Sequence, residues 1–189
     1  METSSYQKAK DKMAIRRPRI SIFALNENGM NSPIKRHRVA DWIKKQNPTI
    51  CCLQDTHLSC KDKYRLKVKG WKMIFQANGI QRKVGGAVLI SDKTDFKIKK
   101  GTEGHFIMIK GIMHQEDRAL INIYAPNKGA PKYVKQLLTE LKGKIDQNTI
   151  VVEDLNTSLS NMDRSAKQKI NKEITSLNDT LEQLDILDI

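Results

Sequence analysis

Four times in this chain a short apolar run breaks off into a cluster of Asn, Asp and Gln. Ile22-Phe23-Ala24-Leu25 leads into Asn26-Glu27-Asn28-Gly29, and Ile50-Cys51-Cys52-Leu53 into Gln54-Asp55-Thr56-His57. Leu120-Ile121-Asn122-Ile123 leads into Tyr124-Ala125-Pro126-Asn127, and Thr149-Ile150-Val151-Val152 into Glu153-Asp154-Leu155-Asn156. Apolar runs of this length bounded by turn residues read as buried strands. If such strands share a direction, their carboxyl ends meet at one edge, where α/β folds assemble their sites. Oxygen-rich tips at that edge suit a hard cation such as Mg²⁺.

The rest of the chain is strongly basic. Lys and Arg total 34 against 21 Asp and Glu, a net charge of +13 in 189 residues. That balance is the electrostatic footprint of a nucleic-acid binder, and also of a basic protein at an anionic surface. Aromatic residues are only 5% of the chain, which argues against a stacking platform for single strands. No apolar stretch approaches the roughly 18 residues a membrane span needs, and the first 19 residues lack a signal-peptide core. Cys51, Cys52 and Cys60 form neither a disulfide framework nor a Cys-x-x-Cys zinc pattern. A reducing intracellular compartment is expected, with Cys51 and Cys52 as core filler. One domain fits this length, burying roughly 70% of its unfolded surface.

Residues 1–18 are polar and basic without periodicity and read as a disordered leader, so the domain is expected over 19–189. Its first strand is expected at about 19–25. Ser32-Pro33 reads as a helix start, with Ile34, Val39, Trp42 and Ile43 on one face, and Asn47-Pro48 as its stop. A short helix fits the charged stretch 58–69. Further strands are expected at 71–75, 86–91, 106–111 and 119–124, joined as antiparallel hairpins. Gly85-Gly86 reads as a strand entrance. Pro131 opens a second helix with the stripe Val134, Leu137, Leu138 and Leu141, ending at Gly143. A strand at 149–152 and a last helix at about 165–184 complete the pattern. Helices before and after a run of strands predict stacked sheets flanked by helices.

The period of two along a strand puts Asp154 and Asn156 on one side. An Asp there can deprotonate a water and an Asn can orient it, although both residues also serve ordinary turns. Asp55 is a candidate metal ligand, with Asn26 and Asn28 alike in spacing beside Gly29. Tyr124 can donate a hydrogen bond to charge developing on phosphorus. His57 lies two residues from Asp55. His37 lies on a helix face in Lys35-Arg36-His37-Arg38.

Taken in order, Leu25-Asn26-Glu27-Asn28-Gly29, Leu53-Gln54-Asp55-Thr56-His57, Asn122-Ile123-Tyr124-Ala125-Pro126-Asn127 and Asp154-Leu155-Asn156 resemble the endonuclease/exonuclease/phosphatase superfamily. Within it, the chain is most similar to endonuclease domains of non-LTR retrotransposons, of the long interspersed element kind. The likeness extends through Lys69-Gly70-Trp71, Gln76-Ala77-Asn78-Gly79, Ser91-Asp92-Lys93-Thr94-Asp95-Phe96 and Met162-Asp163-Arg164-Ser165. It covers about residues 20–189. The resemblance implies an α/β sandwich of two packed sheets between helices, like apurinic/apyrimidinic endonucleases and exodeoxyribonuclease III. It implies Mg²⁺-assisted nicking of DNA, with Mn²⁺ as the alternative ion, and a nuclear location. It further implies Asn26 and Asp55 at the metal with Asn28 nearby, and Tyr124 on the scissile phosphate. Asp154 would activate the water and Asn156 orient it, while Arg36, Arg38 and Asn127 would contact nucleic acid.

The chain departs from the family pattern. Asp55 stands where the family has Glu, Glu153 where it has Gly, and Leu155 where it has Phe. Ile189 falls short of the family's further strands, a later metal-site Asp and a Ser-Asp-His cluster, so a C-terminally incomplete domain with severely impaired cutting is expected. The rival expectation is a noncatalytic basic nucleic-acid-binding remnant, or a fragment without selected function.

Overall fold

The computed structural model describes residues 19–59, 65–78, 83–94, 96–102, 106–126, 129–154 and 172–186. The elements run β1 (Ile22–Asn26), α1 (Pro33–Gln46), β2 (Ile50–Ser59), β3 (Trp71–Asn78), β4 (Lys83–Ser91), β5 (Lys97–Thr102), β6 (Phe106–Met113), β7 (Glu116–Tyr124), α2 (Ala130–Leu141), β8 (Thr149–Asp154) and α3 (Lys172–Gln183). They build two four-stranded mixed sheets, ordered β1-β2-β4-β3 and β5-β6-β7-β8. The expected α/β sandwich is therefore present.

Each of the four apolar runs is a strand, and together they make the two parallel pairs. β1 lies parallel to β2, with Ala24 opposite Cys52, and β7 parallel to β8, with Ile121 opposite Val151. The remaining ladders are antiparallel. Each parallel pair is joined by a helix, as a parallel crossover requires.

Alternation along the strands sorts the core into three layers. Cys51, Leu53, Ala87 and Leu89 face α1, where Val39, Ala40 and Ile43 pack. Ile50, Cys52, Val88, Ile90, Ile107, Ile109 and Leu120 meet between the sheets. Ala119, Ile121 and Ile123 face Val134, Leu137, Leu138 and Leu141 of α2, which Leu177 of α3 also joins. Side chains of period two on strands and 3.6 on helices thus close a helix–sheet–sheet–helix stack.

α1 starts where expected. Ser32 holds extended backbone at the cap with Pro33 first in the helix, and Asn47 ends it in the left-handed region, its N–H donating to Ile43 O at 2.8 Å. Ile34 does not join the buried face: it is 67% exposed. α2 runs from Ala130 and passes at Leu141 into a 3-10 turn over 142–144.

Some expectations need correction. The short helix expected within 58–69 falls largely on residues 60–64, which lie outside the described residues. Leu58 and Ser59 complete β2, and 65–70 is irregular, with Leu66 and Val68 buried. β5 was not foreseen. Gly85 and Gly86 lie inside β4. Residues 1–18, Cys60, His105 and 165–171 lie outside the described residues. No helix among those described is long and apolar enough to cross a membrane.

Candidate active site

The site begins with an interruption in β2. Gln54 pairs with Gly86 and Leu58 with Val84, so Asp55, Thr56 and His57 lie opposite Gly85 alone. Such a bulge re-aims side chains at the end of a sheet. Asp55 (φ 49°) and His57 (φ 52°) both take left-handed backbone, which non-glycine residues adopt rarely. The loop after β1 follows the bulge. Glu27 N–H donates to Gln54 O (3.0 Å), Gly29 N–H to Asp55 O (2.6 Å) and Met30 N–H to Thr56 O (2.7 Å). Parallel pairing of the two chains thus continues past the regular ladder. Gly29 has φ 84°, and a Cβ there would come within 3.1 Å of His57 Nδ1. Glycine lets the loop close against the imidazole.

The two sheets meet over this bulge. The Tyr124 hydroxyl, at the end of β7, donates to Asp55 Oδ1 at 3.0 Å. His57 Nε2 lies 2.6 Å from the same oxygen. Asp55 is nearly buried, at 7% exposed. Behind this contact Gln54 Nε2 donates to Asn122 Oδ1 (3.2 Å) and to Ile123 O (3.3 Å), a second bridge between the sheets. Asn122 Nδ2 is buried without a hydrogen-bond partner among the described residues. A Cβ on Gly86 would stand 3.2 Å from it, and one on Gly85 would stand 2.3 Å from Tyr124 Cδ1. The glycine pair is therefore clearance for Asn122 and Tyr124, not a strand entrance.

The described ones among the remaining sequence-derived residues lie at the ends of β1 and β8, on the loop after β1 and on α1. Asn26 closes β1, and its Oδ1 accepts the Asn28 N–H at 3.0 Å. Asp154 closes β8 and pairs with Tyr124 in the parallel ladder. The Asp154 side chain, Asn156 and Asn127 lie outside the described structure. Glu153 sits opposite Ile123 and by alternation shares the helix-facing side of Val151. Arg36 Nη1 donates to Met30 O (2.9 Å) and Asn31 O (2.8 Å), so this guanidinium braces the loop beside the site. Lys35 Nζ donates to Glu27 O and, at 3.4 Å, to Asn28 O. Arg38 lines a separate cavity of about 650 Å³ with Leu25, Glu27, Ile34, Lys35 and Trp42. Burial pushes the Glu27 carboxyl above its usual range, and the Lys35 ammonium offsets part of that rise. His37 is exposed and turned to its own helix, Nδ1 lying 2.8 Å from Pro33 O.

Sequence reading missed the pairing of His57 with Asp55 and the bridging role of Gln54. The i, i+2 spacing of Asp55 and His57 was a signal for the first. Nothing local signals the second, because Asn122 is 68 residues away.

The donor set fits a hard cation. Asp55 presents a carboxylate from the bulge within β2, and Asn26 a carboxamide at the end of the neighbouring parallel strand. Both are oxygen ligands of the kind Mg²⁺ and Mn²⁺ take. Among the described residues no three His, Cys, Asp or Glu side chains gather into a ready metal cage.

Solved structures share this arrangement of strands. The chain is similar to the endonuclease domain of TRAS1, a telomere-specific non-LTR retrotransposon, at 14% identity and a TM-score of 0.67. That match covers 88% of this chain and 73% of the other. The AP endonuclease LMAP from Leishmania major matches at 15% identity and TM-score 0.66, covering 87% and 66%. An AP endonuclease from Archaeoglobus fulgidus matches at 20% and 0.60, covering 87% and 70%. The model of the Endonuclease/Exonuclease/phosphatase family matches residues 21–183, and the chain belongs to that family.

Proposed function

We propose that the carboxyl-end edge of the paired sheets is a divalent-metal-dependent site for hydrolysing DNA phosphodiesters, of the retrotransposon endonuclease type. The observation that carries this reading is the 3.0 Å contact between Asp55 and Tyr124, which joins the bulge of β2 in one sheet to the end of β7 in the other. Asn26 and Asp55 would hold the ion, with Asn28 beside them. Bound there, Mg²⁺ would polarise the scissile phosphate. The Tyr124 side chain, whose hydroxyl is held on Asp55, would contact the scissile phosphate. Asp154 takes the proton of the attacking water and Asn156 orients that water. Arg36, Arg38 and Asn127 would contact the DNA backbone. At +13 net charge, duplex binding should fall with salt on a log–log slope of roughly −0.9 per phosphate neutralised. A slope near zero in fluorescence anisotropy would remove that electrostatic role.

The deciding experiment is relaxation of supercoiled plasmid by the purified chain with Mg²⁺, with EDTA, and with Asp154→Ala. The expected result, in keeping with the severely impaired cutting expected from the sequence, is at most weak nicking, which chelator and substitution both abolish. Nicking that survives Asp154→Ala would overturn the assignment. A second reading, a noncatalytic DNA binder, rests on the basic charge of +13 alone. Salt-sensitive binding with no nicking in Mg²⁺ or Mn²⁺ would establish it.

A further inference from the structure

We infer that His57 is a positioning residue for the metal-binding carboxylate: it grips Asp55 Oδ1 and turns Oδ2 toward the cation. This rests on the proposed metal site at Asp55. Two donors converge on a single carboxylate oxygen, His57 Nε2 at 2.6 Å and Tyr124 Oη at 3.0 Å. One carboxylate oxygen can accept both, and its partner is left to a metal. Metal-bound carboxylates are commonly fixed in this way by neighbouring donors, whose loss weakens the ion's hold.

The backbone is shaped to allow the grip. Left-handed backbone at Asp55 and again at His57, within a three-against-one bulge, brings the two side chains together. Gly29 closes the loop against the far side of the ring, where a Cβ would crowd Nδ1 at 3.1 Å. The Asp55 side chain is 10% exposed and that of His57 is 41% exposed, so the ring covers the carboxylate from solvent. An aspartate is one methylene shorter than a glutamate and has one side-chain torsion fewer. Held by two donors, it presents Oδ2 in one direction.

The test is Mn²⁺ titration of the full chain, following free Mn²⁺ by electron paramagnetic resonance. His57→Ala should weaken Mn²⁺ binding about 10- to 100-fold. His57→Gln, whose amide N–H can reach Asp55, should recover most of the loss. Spin-echo modulation from bound Mn²⁺ should show no directly coordinated nitrogen in the unsubstituted chain. A nitrogen signal that disappears with His57→Ala would overturn the inference and make His57 a ligand. Unchanged or tighter binding by His57→Ala would overturn it too, tighter binding marking His57 as an obstruction. If His57→Ala does not fold, Tyr124→Phe removes the other donor to the same oxygen and should weaken Mn²⁺ in the same way; unchanged binding would count against the inference. The proposed metal site fails separately, and takes this inference with it, if Asp55→Ala binds Mn²⁺ as well as the unsubstituted chain.

Discussion

The two parallel pairs, each with its crossover helix, are built on one plan and held in different ways. In the second, α2 buries Ala130, Pro131, Val134, Leu137, Leu138 and Leu141, and α3 packs along it, Lys135 Nζ donating to Ser176 Oγ at 2.6 Å. In the first, α1 buries only Val39, Ala40 and Ile43, and leaves Ile34 in solvent. What the first unit lacks in apolar contact it has in directed bonds. Three backbone N–H groups tie its loop to the bulge of β2, and Lys35 and Arg36 donate to loop carbonyls. Apolar burial is strong but non-directional, whereas hydrogen bonds fix geometry at modest net energy. The unit that must aim side chains uses the second device, and the unit that anchors the fold uses the first.

The comparison is easiest to break at the helices. Leu138→Ala, at a fully buried position, should destabilise the protein by about 2–5 kcal/mol in urea unfolding. Ile34→Ala should change stability by no more than about 0.5 kcal/mol. Similar costs at the two positions would mean that α1 packs more tightly than its exposed side chains show.

A finer contrast lies in the two β-to-α connections, each with a left-handed glycine. Gly29→Ala and Gly129→Ala should each cost about 1–2 kcal/mol for holding an L-residue at positive φ. A Cβ at 129 meets nothing within 4 Å, while one at 29 presses on His57. Only Gly29→Ala should therefore also weaken Mn²⁺ binding. Equal loss of Mn²⁺ in both variants would dissolve the distinction.

The smallest effect expected is at Glu27. Its folded pKa is raised by burial above its ordinary value of 4.5, so the folded state holds the proton more tightly than the unfolded chain. The stabilisation it gives is complete below that value and is lost as pH rises through the folded pKa. Glu27→Gln should then flatten the stability–pH profile just above 4.5 and leave the protein no less stable at pH 7. A steeper profile in the variant would contradict the sign.

How far the sequence carries the fold differs between its parts. The four strand tips were legible because each is an unbroken apolar run stopped by polar residues. α2 was legible because its stripe is uninterrupted. β5 was not: Lys97-Ile98-Lys99-Lys100-Gly101-Thr102 holds a single apolar residue, and an edge strand needs no more. Asp55 and Tyr124 could each be singled out, but their meeting follows from how one sheet stacks on the other, which no local spacing encodes. The bulge was hidden because Asp and His, not glycine, take the positive φ there. Only the glycine opposite them hinted at it, and it was misread.

The adjacent cysteines of β2 carry one last consequence. Cys51 belongs to the layer under α1 and Cys52 to the layer between the sheets, and both thiols are free and fully buried. Burial pushes the Cys51 thiol up to about 12 and the Cys52 thiol higher still, so neither reacts while the layers are closed. Two neighbouring sulfurs thus listen to two different interfaces. Alkylation at Cys51 alone would time the lifting of α1 from its sheet, and alkylation at Cys52 the parting of the sheets. Peptide mass mapping of a single labelling series would give the order in which the molecule comes apart.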